Sequence, residues 1–400
     1  MKKKFLALVM TLSMVLSLVP MTALAAEEQS AAEPKQETQA DVQVGQKEPT
    51  VSVAEKEGAE DKPMVQETPA TSYAANGTAF TSDTGVKYKV TGTGEVEVTG
   101  CDASVSKLVI PQTVFYKDVE YKVVSVAQRA FLNSALTDVD FSGTTVEINQ
   151  FAFAGCKSLI SIIGMDNITN IGKRAFTGCS QLEEVSNLSK LTSIGSQSFM
   201  NCTNLTTLEG LNWQSLEDIG QEVFANDEKL SISLDENTFK SLKTLGTGAF
   251  SGMIGMTGTV VLPESITEIP ESAFSNTGIT DVDFSHVTSI GKQAFSNCEG
   301  ITKLNVSDSV TTIGEKAFQG CKNLVSVQIG DPGKGSSKLK SIQKGAFNKD
   351  IAITYFYMEC NQADVTIAAN GIGWPKYDTI PDNVREIMQY AFAIKDASIY

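Results

Sequence analysis

Four hundred residues carrying a formal charge of −15, with 42% apolar and 8% aromatic side chains, can bury a large core but are long for one ordinary compact domain. The acidity argues against nucleic acid and against anionic membrane surfaces, both of which call for clustered Lys and Arg. It suits an exported protein that must stay dispersed.

The chain opens with Lys2, Lys3 and Lys4, an apolar run from Phe5 to Val19, and the small residues Ala23-Leu24-Ala25-Ala26. Residues 1–26 read as a secretory signal peptide cleaved near Ala25 or Ala26, with an uncleaved membrane anchor as the alternative. Cleavage removes three lysines, so the mature chain is three charges more negative. No later stretch offers about 18 consecutive apolar residues, so no membrane span is expected in the mature chain. The protein is therefore expected to be secreted or held at the cell surface.

Residues 27–75 follow as a linker. Glu27 to Ser72 contains no Phe, Tyr or Trp, and Pro34, Pro49, Pro63 and Pro69 are spread along it. Such an acidic, aromatic-free stretch cannot bury enough apolar area to offset the entropy of ordering, and disorder is expected. It is either a spacer at the cell envelope or an unselected low-complexity stretch. Residues 76–106 are expected to cap the folded part at its N-terminal end.

From there one unit is written many times. Phe131, Phe153, Phe176, Phe199, Phe224, Phe250, Phe274, Phe295, Phe318, Phe347 and Phe392 mark about eleven copies, most of them 21 to 26 residues apart. Ala precedes most of these rings. Five places before every Phe stands an aliphatic residue, from Val126 and Ile148 through to Ile342 and Ile387. Four places before, Gly recurs at 172, 195, 220, 246, 291 and 314. Six places after, Leu159, Leu182, Leu205, Leu230, Ile301 and Leu324 form another column.

The position two after Phe is the most restrictive. It reads Asn133, Gly155, Gly178, Asn201, Asn226, Gly252, Asn276, Asn297 and Gly320. Gly and Asn best tolerate left-handed backbone, and a helix commonly ends on such a residue. The Gly-x-x-Ala-Phe segment is therefore expected to be a short helical turn, with the aliphatic, Ala and Phe on one inward face. The rest of the unit alternates, as in Ile279-Thr280-Asp281-Val282-Asp283-Phe284 and Val325-Ser326-Val327-Gln328-Ile329, and predicts a strand with one buried face. A second short strand is expected over Val310–Ile313 and its equivalents. One unit cannot bury both faces alone, so stacking must make the core continuous. The expected fold class is α/β: a right-handed solenoid with a parallel sheet along one face and short helical turns on the other. Regular units fill 107–350; residues 351–400 hold degenerate and C-terminal units. Asp331 to Lys338 interrupts one unit with a Pro/Gly/Ser-rich loop. Ile351 to Trp374 loses the pattern and gathers Tyr355, Phe356, Tyr357 and Trp374, as a recognition patch or as a degenerate unit's core.

Val-Thr-x-Ile-Gly-x-x-Ala-Phe-x-Gly-Cys-x-x-Leu, as it stands from Val310 to Leu324, resembles the bacterial BspA-type leucine-rich repeat. Leu108-Val109-Ile110-Pro111 through Tyr121-Lys122-Val123 to Ala130-Phe131 is similar to that family's opening unit. The resemblance covers about 107–347, and 377–392 again. It implies a secreted or surface protein of the kind that adheres to host matrix proteins, epithelial cells or other bacteria, without specifying a ligand.

Catalysis finds little foothold. Cys156, Cys179, Cys202, Cys298 and Cys321 all lie three after a repeat Phe, so the repeat explains them. They are expected to be free, buried thiols, with Cys156–Cys179 and Cys298–Cys321 the conceivable bridges. The one histidine, His286, has no flanking triad motif and is expected to be structural. No zinc pattern or phosphate-cradling loop is present, so no metal, cofactor or catalytic residue is expected.

The outward strand positions are the candidate ligand-binding residues: Asp138, Asp140, Glu184, Glu209, Asp281, Asp283, Lys303, Asn305 and Gln328, with Ser186, Thr207 and Ser326 beside them. The paired acids at 138/140 and 281/283 favour a basic partner surface, or equally a weakly held calcium ion. The expected partner is an extracellular protein or cell-surface ligand, met by a monomer. The competing reading is a structural spacer of the cell envelope, and an enzyme is the remote third.

Overall fold

The computed structural model describes residues 72–332 and 334–348, and beyond them residues 350, 352–353, 355–358, 365–368 and 386–387. The signal peptide, most of the linker, Trp374 and Phe392 lie outside the described residues.

The first strands do not follow the repeat. β1 (Ala79–Thr81), β2 (Val86–Gly92) and β3 (Glu95–Cys101) form an antiparallel meander. Its alternation buries Val86, Tyr88 and Val90 on one strand and Val96 and Val98 on the next. The repeats start with β4 (Lys107–Val109). A hairpin arm, β5 (Thr113–Tyr116), then folds back antiparallel on β6 (Val119–Val126), turning through Lys117 and Asp118 at positive φ.

Each later coil contributes two strand positions. The first is a two-residue strand ending on the aliphatic five before Phe. These pair in parallel register from β6 through Ile148, Ile171, Ile194 and Ile219 to Leu245, and again from Ile269 through Ile290, Ile313, Ile342 and Ile367 to Ile387. The second lies six to eleven after Phe. It begins with β4 and β7 (Asp138–Asp140) and runs through Ser161–Ile163 and Glu184–Val185 to Thr207–Leu208. Two three-stranded sheets, 232–283 and 303–358, follow on the same repeat position. The parallel strands thus form two columns, as the short strand expected at Val310–Ile313 required: Thr312–Ile313 is one of them. Beyond 350, Thr366–Ile367 and Tyr355–Met358 still pair with the preceding coil, so these two segments keep both strand columns.

Between the columns runs the Phe spine. From Phe131 to Phe347 consecutive repeat rings stack with centroids 4.9–5.9 Å apart and planes within 17°. That spacing is slightly wider than the strand separation of about 4.8 Å, as offset stacking requires. Phe356, on the degenerate coil, meets Phe347 edge-on at 5.7 Å and is half-buried, so it extends the core.

The turns differ from the expectation. Trp213–Ser215, a single 3-10 turn, is the only helix among the described residues. The Gly-x-x-Ala-Phe segments are instead successions of tight turns with two left-handed residues each. One is the Gly/Asn position two after Phe, with φ between 56° and 82°. The other lies two before Phe, at Arg129, Phe151, Arg174, Gln197, Glu222, Gly248, Ser272, Gln293, Lys316 and Gly345. A helix would bond N–H to the carbonyl four back. Here the amides of Ala130 and Ser134 reach three back, to Ala127 and Phe131, while those of Phe131 and Asn133 donate to Ala152 and Ala154 on the next coil. The bonds between coils replace the helical ones. The aliphatic, Ala and Phe positions still face inward and are buried in almost every coil.

Gly178 shows what the left-handed position demands. Its φ is +71°, and a Cβ there would touch nothing nearer than 3.9 Å. A side chain therefore meets backbone strain alone. The strain is about 1–2 kcal/mol for an ordinary residue and more for a β-branched one. Cys179→Ala removes a buried Sγ that donates to the Phe153 carbonyl at 3.2 Å, worth about 1 kcal/mol with its packing. We expect Gly178→Val to lower the melting temperature more than Cys179→Ala; equal melting temperatures would refute this.

Candidate functional site

The outward strand residues are positioned by the same alternation that buries their neighbours. Val139, Val185, Val282, Leu304 and Val327 point into the core. Most of the residues flanking them therefore face outward, and Lys107, Asp138, Ser161, Glu184 and Thr207 form one row across five coils.

The structure separates the candidates into three groups. Asp138, Asp140 and Glu184 share the five-stranded sheet, and Glu209 follows its last strand. Asp281 and Asp283 end the next sheet, while Lys303, Asn305 and Gln328 belong to the third. No strand pairing joins Thr207–Leu208 to Ile232–Leu234, or Asp281–Asp283 to Lys303–Val306, among the described residues.

Their electrostatics are unequal. Asp138 is tied down. A hydrogen bond from Thr137 at 2.8 Å, with help from Ser161 at 3.0 Å and the Lys107 ammonium at 3.3 Å, holds its carboxyl below the ordinary value. Asp140 accepts the Ser142 amide, Asp281 the Val282 amide, and Asp283 both the amide and hydroxyl of Ser285. Those acids shape turns and keep part of their lone-pair capacity for a ligand. By contrast, the side chains of Glu184, Glu209, Lys303 and Asn305 are exposed and make no hydrogen bond or ion pair among the described residues. Gln328 is half-buried and donates to the Gly330 carbonyl. Ser186 is not on the outward face: it is buried at 5% exposure, because the strand ends at Val185 and the chain turns inward there.

All the described cysteines are free. In the repeat column each Sγ donates to the carbonyl of the preceding coil's Phe, at 3.0–3.3 Å. Burial pushes Cys298 up to about 11, and Cys202 and Cys321 well above the ordinary thiol range, so these groups stay protonated and unreactive. His286 is half exposed, with Nε2 3.9 Å from Glu264. Among the described residues no group of three His, Cys, Asp or Glu side chains could hold a metal ion.

Two features of this column were not anticipated. Where the repeat would put a further cysteine stand Asp227 and Asp350, each one coil after a Cys. Both are buried, and desolvation lifts each carboxyl to about 8. Asp227 Oδ1 accepts the Cys202 amide at 2.8 Å, while its Oδ2 has no partner among the described residues. Their spacing from Phe224 and Phe347, three residues, was the available signal.

Comparison with known proteins agrees with this architecture. Residues 124–256 and 217–354 match the profile described as BspA type leucine rich repeat region, with six copies, over more than half of the chain. A search of curated proteins gives no match. Among solved structures, a leucine rich cell surface protein from Faecalibacterium prausnitzii is 20% identical, covers 77% of this chain and 86% of its own, and gives a TM-score of 0.42. A leucine-rich repeat protein from Bacteroides ovatus is 22% identical over 78% of this chain and 99% of its own, at 0.38. The pneumococcal vaccine antigen PcpA is 16% identical over 79% and 94%, at 0.45.

Proposed function

The chain belongs to the BspA-type leucine-rich-repeat family, and from that premise we propose that it is a non-catalytic extracellular binding protein, an adhesin-like solenoid that recognises a protein or another ligand on a host or bacterial surface. Residues 1–26 serve as the leader that exports it, 27–75 as an acidic linker, and 76–106 as the cap of a right-handed, monomeric array. Binding falls to the outward strand face: Asp138, Asp140, Glu184, Glu209, Asp281, Asp283, Lys303, Asn305 and Gln328.

One observation supports this reading most. The inward columns repeat nearly unchanged, while the outward positions change from coil to coil and leave Glu184, Glu209, Lys303 and Asn305 with no partner among the described residues. A side chain that does nothing for the fold is free to be chosen by a ligand. The acidic excess of the face suits a basic partner surface, which also speeds encounter at low salt.

The test is binding of the full chain to a panel of matrix proteins and epithelial cells, with and without Glu184→Lys and Glu209→Lys. The wild type is expected to bind saturably, and the double variant to bind at least about fivefold more weakly at low salt with an unchanged melting temperature. Absence of saturable, salt-sensitive binding across the panel overturns the reading.

A further inference from the structure

The two strand columns end differently at the N-terminal side of the array. The first is continued by further strands: β6 pairs with β3, β3 with β2, and β2 with β1. The second stops at β4, whose one partner among the described residues is β7. In that pairing the hydrogen bonds run through alternate residues. Asp138 N–H donates to the Ser106 carbonyl, and Ile110 N–H to the Asp140 carbonyl. The even positions of β4 therefore face β7, and the N–H and C=O groups of Lys107 and Val109 point the other way. No main-chain group of either residue has a hydrogen-bond partner among the described residues. Both residues are exposed, Val109 at 59%. A bare edge with an exposed aliphatic side chain invites a further strand.

We infer that the free edge of β4 is a binding site for an extended segment of another protein, which adds to it as a parallel strand carrying an acidic residue beside Lys107 and an aliphatic one beside Val109. The side-chain requirement follows from the row. On the occupied side, Lys107 pairs in register with Asp138 and meets its carboxylate at 3.3 Å, with 78% of the Lys107 side chain still exposed. A carboxylate in the same register on the open side would meet the same ammonium. Lysine at an edge deters apolar or basic strands, which would have to bury or face an unpaired charge. Lys107 therefore makes the edge selective. Val109 offers the next outward position to an apolar partner, since directly opposed aliphatic pairs favour strand association. This site uses main-chain groups at the end of the array, so it is independent of the outward-face reading above.

The array supplies its own probe. Residues 136–143, Leu-Thr-Asp-Val-Asp-Phe-Ser-Gly, contain the strand that already pairs with β4 on the opposite side, and with Asp140→Val, as Leu-Thr-Asp-Val-Val-Phe-Ser-Gly, the segment places an acid beside Lys107 and an aliphatic residue beside Val109 in the same register. A blocked synthetic peptide of that substituted sequence is titrated into the isotopically labelled full chain. Saturable shifts of the Lys107 and Val109 amides are expected, in about the high-micromolar to millimolar range. In a parallel strand on the open edge the peptide amides facing β4 are those of its Val139 and Phe141 equivalents. N-methylation at these two should abolish binding, while N-methylation at the equivalents of positions 138 and 140 should leave it within about twofold. On the protein, Val109→Pro removes one outward N–H and no bond to β7. It should weaken the peptide at least about tenfold with the melting temperature nearly unchanged. Equal binding of the two methylated peptides, or no saturable shift up to about 2 mM peptide, overturns the proposal.

Discussion

Lowering the pH from about 8 to about 5 is expected to raise the melting temperature of the repeat array by about 5 °C or more, and Asp227→Asn to remove a large part of that dependence. Asp227 and Asp350 are buried carboxyls held at about 8 in the fold, against 3.8 for the ordinary group. The sign follows from which state keeps the proton. Below the ordinary value both states are protonated and nothing is lost. Between about 4 and about 8 the unfolded chain ionises while the fold holds its proton, so stability falls as pH rises. Above about 8 the folded groups ionise too and the loss is complete. The slope approaches about 1.4 kcal/mol per pH unit per group, so several kcal/mol are at stake across the window. The neighbouring thiols of Cys202 and Cys321 have raised values and stay neutral through it. Asp138 and Asp235 shift downward and oppose the trend, but they are solvent-screened and contribute little. Asparagine at 227 keeps an oxygen for the Cys202 amide and has no charge to desolvate. Asp227→Asn should therefore be more stable than the parent at pH about 8, and close to it at pH about 4. Melting curves across this range decide it: parallel profiles for parent and variant would sink the assignment.

Gly246→Ala is expected to cost about 3 kcal/mol or more, against about 1–2 kcal/mol for Gly178→Ala. A Cβ at Gly246 would lie 2.3 Å from Gln221 N and from Gly220 C, and 2.5 Å from Gly220 O. All three are main-chain atoms of the preceding coil, so no side chain can swing aside. At this column the coils approach so closely that the Gly246 amide bonds the Ile219 carbonyl at 2.8 Å. Accommodating a methyl group means separating two coils along with their ring stack. Asn149, Pro270 and Gln343 occupy the same position in other coils, where the local backbone is built around a side chain from the start. Chemical denaturation of the two variants side by side is the measurement, and an equal or smaller loss for Gly246→Ala would show that the coils yield more readily than close packing implies.

Much of this fold was legible because its constraints are columnar. The Phe spine, the aliphatic five before it, and the left-handed Gly/Asn position two after it each repeat enough to stand out, and each holds in the structure. The second left-handed position did not stand out. It is filled by Arg129, Phe151, Arg174, Gln197 and Glu222, residues whose types announce nothing, because the turn is imposed by hydrogen bonds from the neighbouring coil. Without it, an aliphatic, Ala and Phe at helical spacing before a Gly or Asn reads as a capped helix. The residues of the candidate face were legible as outward positions, except Ser186, where the strand ends one residue early. Their local bonds to Thr137, Ser142 and Ser285 were not, since those depend on the turn after each strand. Asp227 and Asp350 were hidden by the prominence of the cysteines in their column.

The free thiol ladder also decides how this array would respond to a pull. Each Sγ gives its hydrogen to a carbonyl one coil away, and no described cysteine is covalently joined to another. Tension applied along the chain would therefore meet only hydrogen bonds and stacked rings, one coil at a time. Each coil that opened would trade a rise of about 5 Å for an extended length of roughly 75 Å. The molecule would lengthen in steps and dissipate load gradually, where a disulfide between coils would hold them rigid up to a sudden failure.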